Sequence, residues 1–156
     1  MHRLFALAVT AFWITSAQAQ SITPREGWVV IETGKAHATL LADLKKAVKA
    51  NKMGVVTQAG PTGAARNRGI TLPENRVVGV FNNDFAVKVL ATSTAAMIEA
   101  PIRFYVTEEA DGAATLSYKT PGFVFAPYMD EGGQTLADLA AELDAIFDTI
   151  ATAASQ

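Results

Sequence analysis

The chain has 156 residues, half of them apolar, with no cysteine, two histidines and a formal net charge of −2. These counts exclude disulfide staples, thiol nucleophiles, thiolate metal sites and any zinc or iron centre that needs several imidazoles. The slightly acidic balance argues against nucleic acid as a partner, since that function normally leaves a net basic footprint.

Met1-His2-Arg3 is a short basic start, Leu4 to Thr15 is an almost unbroken apolar run, and Ser16-Ala17-Gln18-Ala19 places small residues where a signal peptidase reads. This is the layout of a secretory signal over residues 1–19, with cleavage expected after Ala19. The apolar run is too short for a membrane span, which takes roughly 20 residues. No stable membrane insertion is expected after cleavage, and a periplasmic location follows. What remains is the length of one ordinary domain: a lead-in over 20–27 and a single domain over 28–156. Lacking cysteine, that domain must be stable through packing alone. Its charge is unevenly placed. The stretch from Glu108 to the end carries nine acidic residues against Lys119, whereas Gln20 to Thr107 is net basic.

Trp28-Val29-Val30-Ile31-Glu32 reads as a first strand ended by Thr33-Gly34. His37, Leu40, Leu41, Leu44, Ala47 and Val48 then recur at helical spacing, with Lys45, Lys46, Lys49 and Lys52 largely opposite. Gly54 to Gln58 is a second strand, and Ala59-Gly60-Pro61-Thr62-Gly63 is a turn cluster. Thr62 is expected to cap a brief helix through Arg66 to Arg68. Arg76 to Phe81 is a third strand, followed by a helix capped at Asn83 and running to about Ser93. Ile102 to Glu108 alternates cleanly, with Ile102, Phe104 and Val106 on one face and Arg103, Tyr105 and Thr107 on the other. Asp111-Gly112 turns the chain into Ala114 to Tyr118 as an antiparallel hairpin. A loop from Thr120 to Gly133 follows. The last helix is capped at Thr135 and carries Leu136, Leu139, Ala140, Leu143, Ile146, Phe147 and Ile150 on one stripe. The expected fold class is α+β: a two-layer sandwich with a mixed sheet of about five strands and helices on one face.

Several of these segments together resemble the domain-of-unknown-function family 302. They are Phe81-Asn82-Asn83-Asp84, the run Ile98 to Glu108 with its apolar-Pro-apolar strand entry and acidic end, Gly112, and Leu116-Ser117-Tyr118-Lys119-Thr120-Pro121. The likeness spans roughly Val29 to Tyr128. It implies a compact α/β fold, frequent dimers and frequent signal sequences, and it implies no catalytic or binding residue. The chain departs from the family pattern at Asn82-Asn83-Asp84, where many members have Gly-Asn-Pro, and at Gln58 to Thr62, where many have a histidine-containing segment.

No G-x-S-x-G, H-E-x-x-H, G-x-G-x-x-G or Walker-type loop occurs, and no cofactor or metal is expected. Arg103, Tyr105, Tyr118 and Lys119 lie on neighbouring hairpin strands. If Tyr118 shares the face of Arg103 and Tyr105, they form a basic, aromatic patch for an anion; otherwise that face is a solvated sheet surface or a subunit contact. Arg66 and Arg68 beside a helix start are a possible anion contact, with a plain connector as the simpler account. Glu99, Glu108 and Glu109 show no spacing that marks an acid–base pair. Glu108, Glu109 and Asp111 fit a solvated turn better than a calcium loop. His37, without partner ligands, fits a core or edge position, and Met53, Met97 and Met129 fit core filler. Phe123, Phe125 and Tyr128 are costly to expose in a loop, so they cover a sheet edge, line a pocket or bury in a partner subunit.

The expected function is non-catalytic binding of a small ligand or a protein partner by an exported homodimer. The alternatives are a cofactor-free enzyme using Arg103, Tyr118 and Glu99 on a small anionic substrate, and an envelope structural or stress accessory.

Overall fold

The computed structural model describes residues 21–156; the expected signal segment and its cleavage point lie outside the described residues. The chain runs β1 (Trp28–Ala36), α1 (His37–Ala50), β2 (Gly54–Ala59), α2 (Thr62–Arg66), β3 (Asn75–Phe81), α3 (Asn83–Thr92) and a 3-10 turn (Ala96–Glu99). Then come β4 (Ile102–Glu108), β5 (Ala113–Lys119), α4 (Pro121–Phe125), a second 3-10 turn (Ala126–Tyr128) and α5 (Met129–Ser155).

The five strands form one sheet in the order β1-β5-β4-β3-β2, with every neighbouring pair antiparallel. The fold is α+β, but the sheet is not the expected mixture. Strands β1 and β2 do run the same way, as two strands joined by one helix should. However, α1 crosses the whole sheet between them, so they end on opposite edges and never pair. Direction was readable from the order of elements; adjacency was not.

Helices α1 and α5 pack on one face of the sheet, and α3 and α4 pack against α5. Alternation along the strands turns Val78, Val80, Ile102, Phe104, Val106, Ala114, Leu116 and Tyr118 toward them, and all of these are buried. The amphipathic stripes of α1 and α5 supply the other half of the core: Leu40, Leu44 and Val48 from one, and Leu136, Leu143, Phe147 and Ile150 from the other. At the centre Phe147 stacks on Phe104 at 4.7 Å between ring centroids, and Tyr118 tilts against both, at 5.0 Å from Phe104 and 5.7 Å from Phe147. Lys35, where β1 ends, donates to the Asp43 carboxylate at 2.6 Å and to the Ala154 carbonyl at 2.8 Å. It thereby neutralises the negative end of α5 while tying three elements together.

Several local boundaries shift for clear reasons. Strand β1 continues past Thr33-Gly34 because a bulge between Thr33 and Ala36 absorbs the irregularity. The cap of α3 is Asn82, whose side chain accepts from the Asp84 and Phe85 amides, rather than Asn83. Thr62 does not cap α2: its hydroxyl donates instead to the Pro73 carbonyl. The expected loop from Thr120 to Gly133 is mostly helical. Thr120 accepts from the Phe123 amide and Pro121 occupies the first helical position, a start signal built into the sequence. Thr135 lies inside α5, just past a break at Gly133 (φ 55°, ψ −151°) that glycine alone accommodates comfortably.

Phe147→Ala removes the ring that couples α5 to the sheet and is expected to cost about 3–5 kcal/mol, read as a lower urea midpoint. Gly79 faces the Thr57 hydroxyl and the Pro101 ring, so Gly79→Ala is expected to lower thermal stability by displacing one of them.

Candidate functional site

The β4–β5 ladder stops at the pair Phe104–Tyr118. Beyond it, β4 stays paired with β3 as far as Ile102, and β5 stays paired with β1 as far as Trp28–Lys119. The two central strands therefore part company at one end of the sheet, each held by its outer neighbour. A cleft of about 400 Å³ opens where they part. That size lies within the range of small-molecule sites, roughly 300–1,000 Å³.

Four of the sequence-derived candidates meet in this cleft: Arg103, Tyr105, Tyr118 and Lys119 all line it, joined by Trp28, Val77, Glu99, Ser117 and Val124. They do not share a face. The register pairs Phe104 with Tyr118 and Tyr105 with Ser117. Tyr105 and Arg103 belong to the face turned away from helices α1 and α5, while Tyr118 belongs to the core face and borders the cleft from that side. The conditional expectation of a single Arg103–Tyr105–Tyr118 surface is thus corrected. What lies across from Tyr105 is the small, wholly buried Ser117.

The electrostatics favour an anion. Arg103 and Lys119 are exposed, and neither has a carboxylate within 4.0 Å among the described residues, whose two ion pairs are Lys35–Asp43 and Arg66–Glu74. The Lys119 ammonium lies 5.7 Å from the Trp28 ring centroid and the Arg25 guanidinium 5.1 Å from it, so Trp28 orders two cations. Glu99 is the one acid in the lining, and its Oε1 accepts from the Tyr128 hydroxyl at 2.7 Å. That bond raises the Tyr128 pKa above its ordinary value, with burial and the charges of Glu99 and Glu131 adding to it. Burial, helped by Asp148 and Asp144, pushes the Tyr118 phenol up to about 12. Ser117 is 0 % exposed, and its Oγ has no hydrogen-bond partner.

The other candidates lie elsewhere. Phe125 is buried in its own core and lines a small apolar cavity of about 40 Å³ under α3. Phe123 is exposed but rests on Gly27, whose positive φ of 70° and missing Cβ leave room for the ring. Tyr128 reaches the cleft only through Glu99. Arg66 pairs with Glu74 at 2.7 Å on the surface, and Arg68 is exposed on the turn after α2, so neither joins the cleft. His37 is buried, as a core position requires, and its Nε2 has no partner. Sequence reasoning missed Trp28, Ser117 and Val124. Trp28 reaches the cleft through the β1–β5 pairing, for which local sequence carries no signal.

Two outcomes follow. Ser117→Ala deletes an unpaired buried hydroxyl and is expected to leave stability unchanged or raise it by up to about 1 kcal/mol, as melting curves will report. The folded state holds the Tyr118 proton more tightly than the unfolded chain does. The stability this provides is complete below pH 10 and is lost as pH rises through about 12. Urea midpoints of the wild type should fall more steeply over that window than those of Tyr118→Phe.

No curated protein matches the chain. Among solved structures, it is similar to the crystal structure of an uncharacterized conserved protein, DUF302, from Bacillus stearothermophilus. The TM-score is 0.73 at 16 % identity, over 85 % of this chain and 100 % of that one, a likeness that speaks for the fold alone. The model of the family described as "Domain of unknown function DUF302" matches residues 29–151, nearly the whole described domain. The chain belongs to the DUF302 family.

Proposed function

We propose that this protein is an exported, non-catalytic binding domain that holds a small anion in the cleft between β4 and β5. The observation that carries this is the pairing of two cations, Arg103 and Lys119, neither with a carboxylate within 4.0 Å among the described residues, with a recess in the sheet. A sheet end held by two outer strands changes little on binding, so little ordering entropy opposes the ligand. Export rests on the basic, apolar and small-residue pattern of residues 1–19.

The test uses protein purified from cells expressing the 156-residue chain, titrated calorimetrically with inorganic phosphate, acetate and benzoate. At least one is expected to bind, and Arg103→Ala with Lys119→Ala is expected to weaken it about tenfold or more. Equal affinity in the double variant would remove the cleft from consideration.

A second reading, cofactor-free catalysis on a small anionic substrate, is supported by Arg103, Tyr118 and Glu99 lining the same cleft. A phenol held protonated to about pH 12 suits hydrogen-bond donation better than proton abstraction near neutrality, which favours binding. Turnover in a hydrolase and isomerase screen that disappears in Tyr118→Phe would reverse that preference.

Homodimerisation is part of the proposal. It is supported by exposed apolar side chains on α3 and the adjoining 3-10 turn: Val87 (59 %), Leu90 (50 %) and Ile98 (79 %). Phe125 and Tyr118 are engaged within the protomer, which moves the expected contact away from them. Leu90→Asp with Ile98→Asp is expected to shift a sedimenting dimer to monomer. An unchanged dimer would place the contact elsewhere.

A further inference from the structure

We infer that the ligand of this cleft is a monocarboxylate with a flat apolar body, an arylcarboxylate in chemical class; the inference rests on the anion-binding reading above. Three features of the lining narrow the choice. The first is charge number. Arg103 and Lys119 bring two positive charges and Glu99 one negative charge into the same recess, a net of one. A monoanion neutralises that balance, whereas a phosphate dianion or a dicarboxylate brings a second negative charge toward Glu99.

The second feature is the shape of the charge. A guanidinium offers two parallel N–H groups matched to the two oxygens of a carboxylate, and Lys119, ordered by Trp28, supplies a point charge beside it. The third is the wall. Val77, Tyr105 and Val124 line the recess, with Ile102 and Phe104 at its core side. A ligand of charge alone, such as acetate, leaves the exposed parts of Val77, Tyr105 and Val124 in water and gains nothing from them. A flat ring excludes water from them and can lie against the Tyr105 ring.

The experiment is calorimetric titration of the protein purified from cells expressing the 156-residue chain, at fixed ionic strength. The probes are benzoate, 3-phenylpropionate, acetate, inorganic phosphate, phenylalanine and benzyl alcohol. Benzoate or 3-phenylpropionate should bind at least about tenfold more tightly than acetate, a ratio worth about 1.4 kcal/mol and within reach of burying one ring. Arg103→Ala should weaken the aryl ligands about tenfold or more while leaving the melting temperature of the free protein in place. Tyr105→Ala should bring the aryl ligands down toward acetate and leave acetate itself unchanged. Acetate or phosphate binding as tightly as benzoate overturns the aryl assignment while keeping the anion site, and phenylalanine binding more tightly than 3-phenylpropionate overturns it in favour of a zwitterion. Benzyl alcohol binding as well as benzoate removes the role of charge. If no anionic probe binds and Arg103→Ala alters nothing, the anion-binding reading itself falls, and this inference with it.

Discussion

The contact on which the rest of this structure depends is the stacking of Phe147 on Phe104, with Tyr118 tilted against both. It joins the longest helix to the two central strands at the middle of the core. Phe104 and Phe147 are the largest fully buried side chains among the described residues, and their stacked and tilted arrangements add attraction beyond area alone. Once these rings point toward the helices, the period of two dictates everything on the other side. Arg103, Tyr105 and Ser117 must then face away from the helices, because their neighbours in the chain are core residues. The chemistry of the opposite face, where Ser117, Thr115 and Thr107 are themselves buried, is thus a by-product of how the core is packed.

The cleft has a similar mechanical origin. Two central strands would ordinarily pair along their whole length. Here each is drawn to its outer neighbour at one end: β4 to β3 through Ile102, and β5 to β1 through Lys119. Helix α4 begins immediately after β5, and its Val124 closes the recess from outside. The Thr120 amide donates to the Gly27 carbonyl at 2.9 Å, and the Gly122 amide donates to Asp144 Oδ1 at 2.9 Å. These two bonds anchor the start of α4 to the segment before β1 and to α5, which is the kind of support a preorganised site needs.

Much of this was legible beforehand. Strand β4 matched its expected bounds from Ile102 to Glu108, because alternation over seven residues has one interpretation when one face is buried. The Asp111-Gly112 turn held as well, with Gly112 at φ 85° and the Ala113 amide bonded to Asp111. The stripe on α5 was correct almost residue for residue. The aromatic segment after Thr120 was harder. Phe123, Phe125 and Tyr128 look like an exposed liability when read as a loop. Once Thr120-Pro121 starts a helix, they separate into a residue packed on Gly27, a core residue and a partner for Glu99. The candidate site was legible in its cations and Tyr105 but not in its assembly, since nothing local says that Trp28 stands beside Lys119.

The amino-acid order by itself determined the elements, their inward faces and the charges available to a site, because hydrophobic period, caps and turn residues act over a few positions. It also made cysteine and multi-histidine chemistry impossible. Only the tertiary structure decided that β1 and β2 take opposite edges, that Tyr118 belongs to the core while Tyr105 does not, and that β4 and β5 separate over a recess. Those outcomes depend on which strands pair and in what register. Pairing is a competition between segments distant in the chain, settled by how the large rings of Phe104, Tyr118 and Phe147 fit together.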